Sequence, residues 1–167
     1  MSIQVRSYLA QDCQAIADIY NEAIAQGGIT MDCEPYAAAK IVDLVGKLGD
    51  RETILVAEIE GDVVGWGIIK KYSDRPGYNL CCETSIYLKS SATKKGYGRI
   101  LQSALLEQVK AFEYHHVVAK IVASNQNSIK FHEKFGFEIV GVQKEIGFYR
   151  GQWYDMAIMQ LLLGEKS

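Results

Sequence analysis

The sequence has no C-x-x-C pair, although it carries four cysteines, Cys13, Cys33, Cys81 and Cys82. None of its three histidines, His115, His116 and His132, stands at metal-ligand spacing from them. These absences argue against a zinc site or a disulfide framework and predict reduced thiols in a cytoplasmic protein. Charge of one sign is lacking too: 18 basic residues face 20 acidic ones, a formal net charge of −2. Nothing electrostatic therefore points to nucleic acid or an anionic membrane as partner. No apolar run is long enough to span a bilayer. The N-terminus, Met1-Ser2-Ile3-Gln4-Val5-Arg6, enters an alternating strand pattern without the features of a signal peptide. Internal repeats, low-complexity tracts and linkers are all missing.

What is present suits one globular domain spanning 1–167, with 49% hydrophobic and 23% charged residues. Ile3 to Tyr8 reads as a first strand. Helical spacing of Cys13, Ile16, Ile19, Tyr20, Ala23 and Ile24 predicts a helix to about Ala25, with Asp12 placed to cap it or complement its dipole. A second helix is expected to open at Pro35, carry the stripe Ile41, Leu44, Val45 and Leu48, and stop at Gly49. Thr53–Glu60 and Val63–Tyr72 read as a hairpin turning on Gly61-Asp62, and Gly65 and Gly67 mark a bulge or a close backbone approach. Further strands are predicted over Leu80–Leu88, Val117–Ala123, Phe137–Val142 and Trp153–Leu163, with helices over Gly96–Phe112 and Asn127–Phe135. Hairpins imply antiparallel neighbours and a helical crossover implies a parallel pair, so the expected class is α/β with a mixed sheet.

Ser90 to Arg99 is the most informative stretch, because Gly96 and Gly98 stand where a strand hands over to a helix. Unpaired N–H groups at a helix start, at the positive end of its dipole, form a site for phosphate. Lys94, Lys95 and Arg99 add positive charge around it.

That loop, the order of elements and the later run from Asn125 through Ser128 to His132-Glu133-Lys134-Phe135-Gly136-Phe137 resemble the GNAT superfamily of acetyl-coenzyme A-dependent N-acetyltransferases. Thr93-Lys94-Lys95-Gly96-Tyr97-Gly98 matches the family's pyrophosphate loop at both glycines, with Thr93 where a basic or amide residue is usual. Four segments are similar to the phosphinothricin acetyltransferase-like branch: Ile19-Tyr20-Asn21; Asp32-Cys33-Glu34-Pro35; Arg75-Pro76-Gly77-Tyr78 with Glu83-Thr84-Ser85-Ile86-Tyr87; and Gly147 to Asp155. In the last, Tyr149 occupies the usual Lys or His place.

The resemblance implies a GNAT-like mixed sheet of about seven strands flanked by about four helices. It implies acetyl-CoA as cosubstrate, held by the backbone of Ile86 and Leu88, by the loop Thr93, Lys94, Lys95, Gly96, Tyr97, Gly98 and Arg99, and by Asn125 and Ser128. Glu83 is expected as general base, since a carboxylate drawn into an apolar cleft titrates nearer neutrality. His132 is the candidate acid, with Tyr87 and Tyr149 as other conceivable donors. For the acceptor, Arg75 would clamp a carboxylate, Tyr78, Phe148 and Trp153 would wall the pocket with Tyr149 a further substrate contact, and Trp153 reads more readily as core or dimer interface. No metal is implied. The expected activity is acetyl transfer to the α-amine of a small amino acid-like acceptor by direct attack in a ternary complex, in a homodimer. Acetylation of a protein or peptide, and a non-catalytic acetyl-CoA sensor, are the alternatives.

Overall fold

Helices α1 (Cys13–Gln26) and α2 (Ala38–Gly46) form where apolar residues recur every three to four positions. Their buried residues, including Ile16, Ile19, Ile24 and Ile41, cover one face of a seven-stranded sheet. The computed structural model describes residues 2–164. Its strands are β1 (Ile3–Ser7), β2 (Thr53–Ile59), β3 (Asp62–Lys71), β4 (Cys81–Leu88), β5 (His116–Val122), β6 (Glu138–Tyr149) and β7 (Gln152–Leu162), in the spatial order β1-β2-β3-β4-β5-β7-β6. On the opposite face lie α3 (Tyr97–Ala111) and α4 (Gln126–Glu133), whose Leu101, Leu105, Val109 and Ile129 pack with Ile69, Val117 and Met159. Every neighbouring pair of strands is antiparallel except β4 and β5, which are parallel and joined through α3.

The expected order and class are those observed; local boundaries differ for physical reasons. The β2–β3 hairpin turns on Glu60-Gly61, because Ile59 pairs with Asp62 and both loop residues take positive φ, 51° and 82°. Helix α2 begins at Ala38 because the Tyr36 backbone is diverted. Its N–H donates to Asn21 Oδ1 at 2.7 Å, and its carbonyl accepts from Asn21 Nδ2 at 2.9 Å. Strand β6 runs seven residues beyond the expected end at Val142. Its polar middle is carried by bulges, and Asp155 holds Glu145 at φ 53° by accepting its N–H at 2.7 Å. Asp12 sits at the start of α1 but caps no α1 amide; its carboxylate takes Leu9 N–H and the Arg6 guanidinium.

Candidate active site

Two backbone bonds fix the hydrogen-bond alternation between β3 and β4. Tyr72 N–H donates to Cys81 O at 3.1 Å, and Lys89 N–H donates to Val64 O at 2.8 Å. Such bonds recur at every second residue of an antiparallel ladder. Glu83, Ser85 and Tyr87 therefore direct their backbone groups to β3, while Thr84, Ile86 and Leu88 direct theirs toward β5. β5 pairs with β4 only at Cys81, Cys82 and Glu83. Beyond that point the two parallel strands splay apart, leaving the inner edge of β4 unpaired.

A cavity of about 730 Å³ fills the split. One wall is β4 from Thr84 to Leu88, and the other is Ala119, Lys120 and Ile121 of β5. Glu22, Ala23 and Gln26 of α1 close one side, and Asn127, Ser128, Phe131 and His132 of α4 close the other. Thr93, Lys94 and Gly98 line the end beyond β4. Thr84 lines this space and is 3% exposed, and its hydroxyl has no partner among the described residues. A buried hydroxyl is costly unless something pairs with it.

The loop into α3 owes its shape to left-handed backbone. Lys94 has φ 61° and Gly96, the N-cap, has φ 83°. The amides of Tyr97, Gly98 and Arg99 head the helix, and the first intrahelical bond into this turn is Ile100 N–H to Gly96 O at 3.4 Å. Thr93 donates its hydroxyl to Ser90 O at 2.9 Å, so it stiffens the turn that precedes the glycines. Ser90 is moored to α1, with its N–H and hydroxyl both donated to Glu22, at 2.8 and 3.0 Å. Lys94, Lys95 and Arg99 are exposed and form no ion pair among the described residues.

Glu83 lies on the α1 side of the sheet with Ser85 and Tyr87, at the apex of the split. Its side chain is 32% exposed and sits 3.6 Å from Lys120 Nζ, so the expected apolar enclosure is absent. His132 is 3% exposed; its Nδ1 lies 2.8 Å from Ser128 O and 3.5 Å from Ser128 Oγ. A carbonyl only accepts, so Nδ1 carries the hydrogen and Nε2 keeps the lone pair. Burial pushes the imidazole's pKa down, against the charged form an acid would need. Asn125 lines the cavity and also caps α4, accepting Ser128 N–H at 3.3 Å.

Glu83, Lys95, Tyr97 and Arg99 are not among the residues that line the cavity, and the remaining expected residues stand apart from it. Arg75 and Tyr78 are exposed on the connection before β4, with Tyr78 edge-on to Tyr72 at 5.4 Å. Phe148 packs against Trp153 at 4.8 Å, both on the outer surface of the β6–β7 hairpin. Tyr149 is buried, and its hydroxyl donates to Ile24 O at 3.2 Å, at the end of α1. Sequence reasoning did not single out Glu22, Thr84 or Lys120 as site residues. Lys120 left a signal, as the one polar interruption of the apolar β5 run; Glu22 and Thr84 left none.

The acetyltransferase (GNAT) domain family matches residues 5–158. The phosphinothricin N-acetyltransferase of Streptomyces viridochromogenes is 30% identical over 158 residues, covering 95% of this chain and 86% of that one. An L-methionine sulfoximine/L-methionine sulfone acetyltransferase of Pseudomonas aeruginosa is 32% identical, covering 98% and 96%. Among solved structures, a phosphinothricin acetyltransferase from Sinorhizobium meliloti in complex with acetyl-CoA superposes with a TM-score of 0.92 at 32% identity, over 98% of this chain and 90% of that one. The chain belongs to the GNAT acetyltransferase family and is an acetyl-CoA-dependent N-acetyltransferase.

Proposed function

We propose that this single-domain enzyme acetylates the α-amine of a small amino acid-like acceptor of the phosphinothricin or methionine sulfoximine type, by direct attack in a ternary complex. The acceptor class is supported by the names of relatives that match along almost the whole chain. The observation that carries the reading is the unpaired inner edge of β4 opening into the cavity.

The residues present fit acetyl-CoA. The free N–H and C=O groups of Ile86 and Leu88 suit the amides of the pantetheine arm, as an added strand would. The orphaned Thr84 hydroxyl offers one more polar contact. The amides of Tyr97, Gly98 and Arg99, with Thr93 bracing the turn and Lys94, Lys95 and Arg99 supplying charge, suit the pyrophosphate. Asn125 and Ser128 border the arm from α4. Acetyl-CoA supplies the activated acetyl group. Glu83 takes the proton that the acceptor's ammonium must lose, its exposed contact with Lys120 being weak enough to give way. His132, neutral and with Nε2 as an acceptor, orients a neighbour and does not protonate the departing thiolate.

Arg75 and Tyr78, immediately before β4, form the acceptor's outer contacts. Tyr149 serves the pocket indirectly by bracing the end of α1. Ile139, Val140, Val142, Ile146 and Phe148 on β6, with Trp153 on β7, are 41–62% exposed and form the dimer surface. Four free thiols suit a reducing, cytoplasmic location.

The direct test is CoA release with a panel of free amino acids, phosphinothricin, methionine sulfoximine and peptides. Turnover confined to small amino acid-like amines is expected. Turnover of peptides alone contradicts the acceptor assignment, and acetyl-CoA binding without release for any amine would mean a sensor.

A further inference from the structure

Lys120 is out of keeping with its strand. Val118 and Val122, on the same face of β5, are 7% and 1% exposed, whereas the lysine side chain is 47% exposed. Residues two apart on a strand share a face, so this charge stands between buried valines and not on a solvated polar surface. It emerges because the strands split there. Glu83 of β4 pairs with Val118, the last residue of β5 to pair with that strand, and Lys120 stands two positions further on. Its Nζ lies 3.6 Å from Glu83 Oε1. At that separation the two groups form an ion pair but no hydrogen bond, so neither commits its donors or lone pairs to the other.

The cosubstrate does not account for this cation. Two lysines line the cavity, Lys94 and Lys120. Lys94 is at the end beyond β4, where the loop suits the pyrophosphate. Lys120 is at the opposite end, where the arm of acetyl-CoA would finish in an uncharged thioester. Another cation does neighbour Glu83, since Lys70 of β3 is its partner in the ladder. Lys70 forms no ion pair among the described residues and does not line the cavity.

An α-amino acid carries an ammonium and a carboxylate separated by a single carbon. With its ammonium on Glu83, its carboxylate falls beside a cation 3.6 Å away. A half-exposed ion pair contributes little, so a zwitterion can displace it and make two charge-assisted contacts in its place. We infer that Lys120 binds the acceptor's α-carboxylate and selects α-amino acids over amines that lack this group. The inference rests on the acceptor reading above, and it leaves Arg75 and Tyr78 to the far end of the acceptor.

The test pairs acids with their amides. Methionine sulfoximine, phosphinothricin and methionine are offered, each as the free acid and as the α-carboxamide, to the wild type, Lys120→Met and Lys70→Met. The wild type should prefer the acids. Lys120→Met is expected to raise the KM of the accepted acids about tenfold or more, the scale of one hydrogen bond between charged groups, with the acetyl-CoA KM unmoved. Its preference for acid over amide, read as the ratio of kcat/KM values, should fall by a similar factor, which a purely structural role would not produce. Lys70→Met removes the same charge beside Glu83 and should keep that preference. A wild-type ratio near one, a ratio that survives in Lys120→Met, or one that falls equally in Lys70→Met overturns the inference alone. If the wild type acetylates none of the acids, the acceptor reading fails and the inference with it.

Discussion

His132 shows how one hydrogen bond reassigns a residue. Its Nδ1–H is committed to Ser128 O and burial opposes its charged form, so both favour a neutral ring. His132→Gln should therefore lower kcat by much less than the roughly 10²–10⁴-fold that removing a general acid costs, as steady-state rates at neutral pH would show. A loss within that range would restore the acid role. Residue identities are well signposted in the sequence where backbone conformation or close packing needs the residue type, as at Gly96, with φ 83°, and Gly98, where a Cβ would stand 3.2 Å from Leu88. They are poorly signposted where a partner decides the role. Nothing in the sequence says that Tyr149 spends its hydroxyl on Ile24 O, or that Lys120 lies beside Glu83.

At the scale of elements, the site exists because β4 keeps its partner on one side and loses it on the other. β3 follows β4 to Leu88, and Gly65 makes that possible. A Cβ on Gly65 would strike the Leu88 side chain and stand 3.0 Å from Tyr87 O. Gly65→Ala is expected to cost about 1–3 kcal/mol in denaturant unfolding and to weaken acetyl-CoA binding, since Leu88 forms the cavity wall. Wild-type affinity in a destabilised Gly65→Ala would show that Leu88 does not shape the site. Strongly periodic elements such as α1 and α3 can be read directly. The strand split cannot, because it depends on register between β4 and β5, whose paired residues Cys81 and His116 are 35 positions apart. Strand β6 reads short in the sequence because its bulges break the two-residue alternation.

Across the whole molecule, two features lie far from the chemistry. Arg6 bridges Asp12 and Glu58, and its guanidinium holds the Asp12 carboxyl below the usual carboxylate range. A folded-state pKa below the unfolded one contributes stability above about pH 4, lost as pH falls through the folded value. Asp12→Asn should thus cost about 2 kcal/mol at neutral pH, with the difference from wild type shrinking in acid unfolding curves below about pH 4. A gap that stays constant with pH would contradict the assignment. The exposed apolar β6 surface predicts a dimer by analytical ultracentrifugation and a monomer for Val140→Lys; a monomeric wild type would contradict it. Fold class and element order are legible because hydrophobic period and turn residues agree along the chain. The exposed apolar face of β6 is not, since exposed and buried valines look alike in sequence.

We propose that Glu83, at the apex of the strand split, removes the acceptor's proton while the cavity beyond it holds acetyl-CoA. Glu83→Gln keeps the shape and removes the base. Kinetics with an acceptor from the amine panel, paired with acetyl-CoA titration calorimetry, test it most directly. A loss in kcat of about 10²-fold or more is expected, with acetyl-CoA affinity unchanged. Undiminished turnover by Glu83→Gln at neutral pH would contradict it.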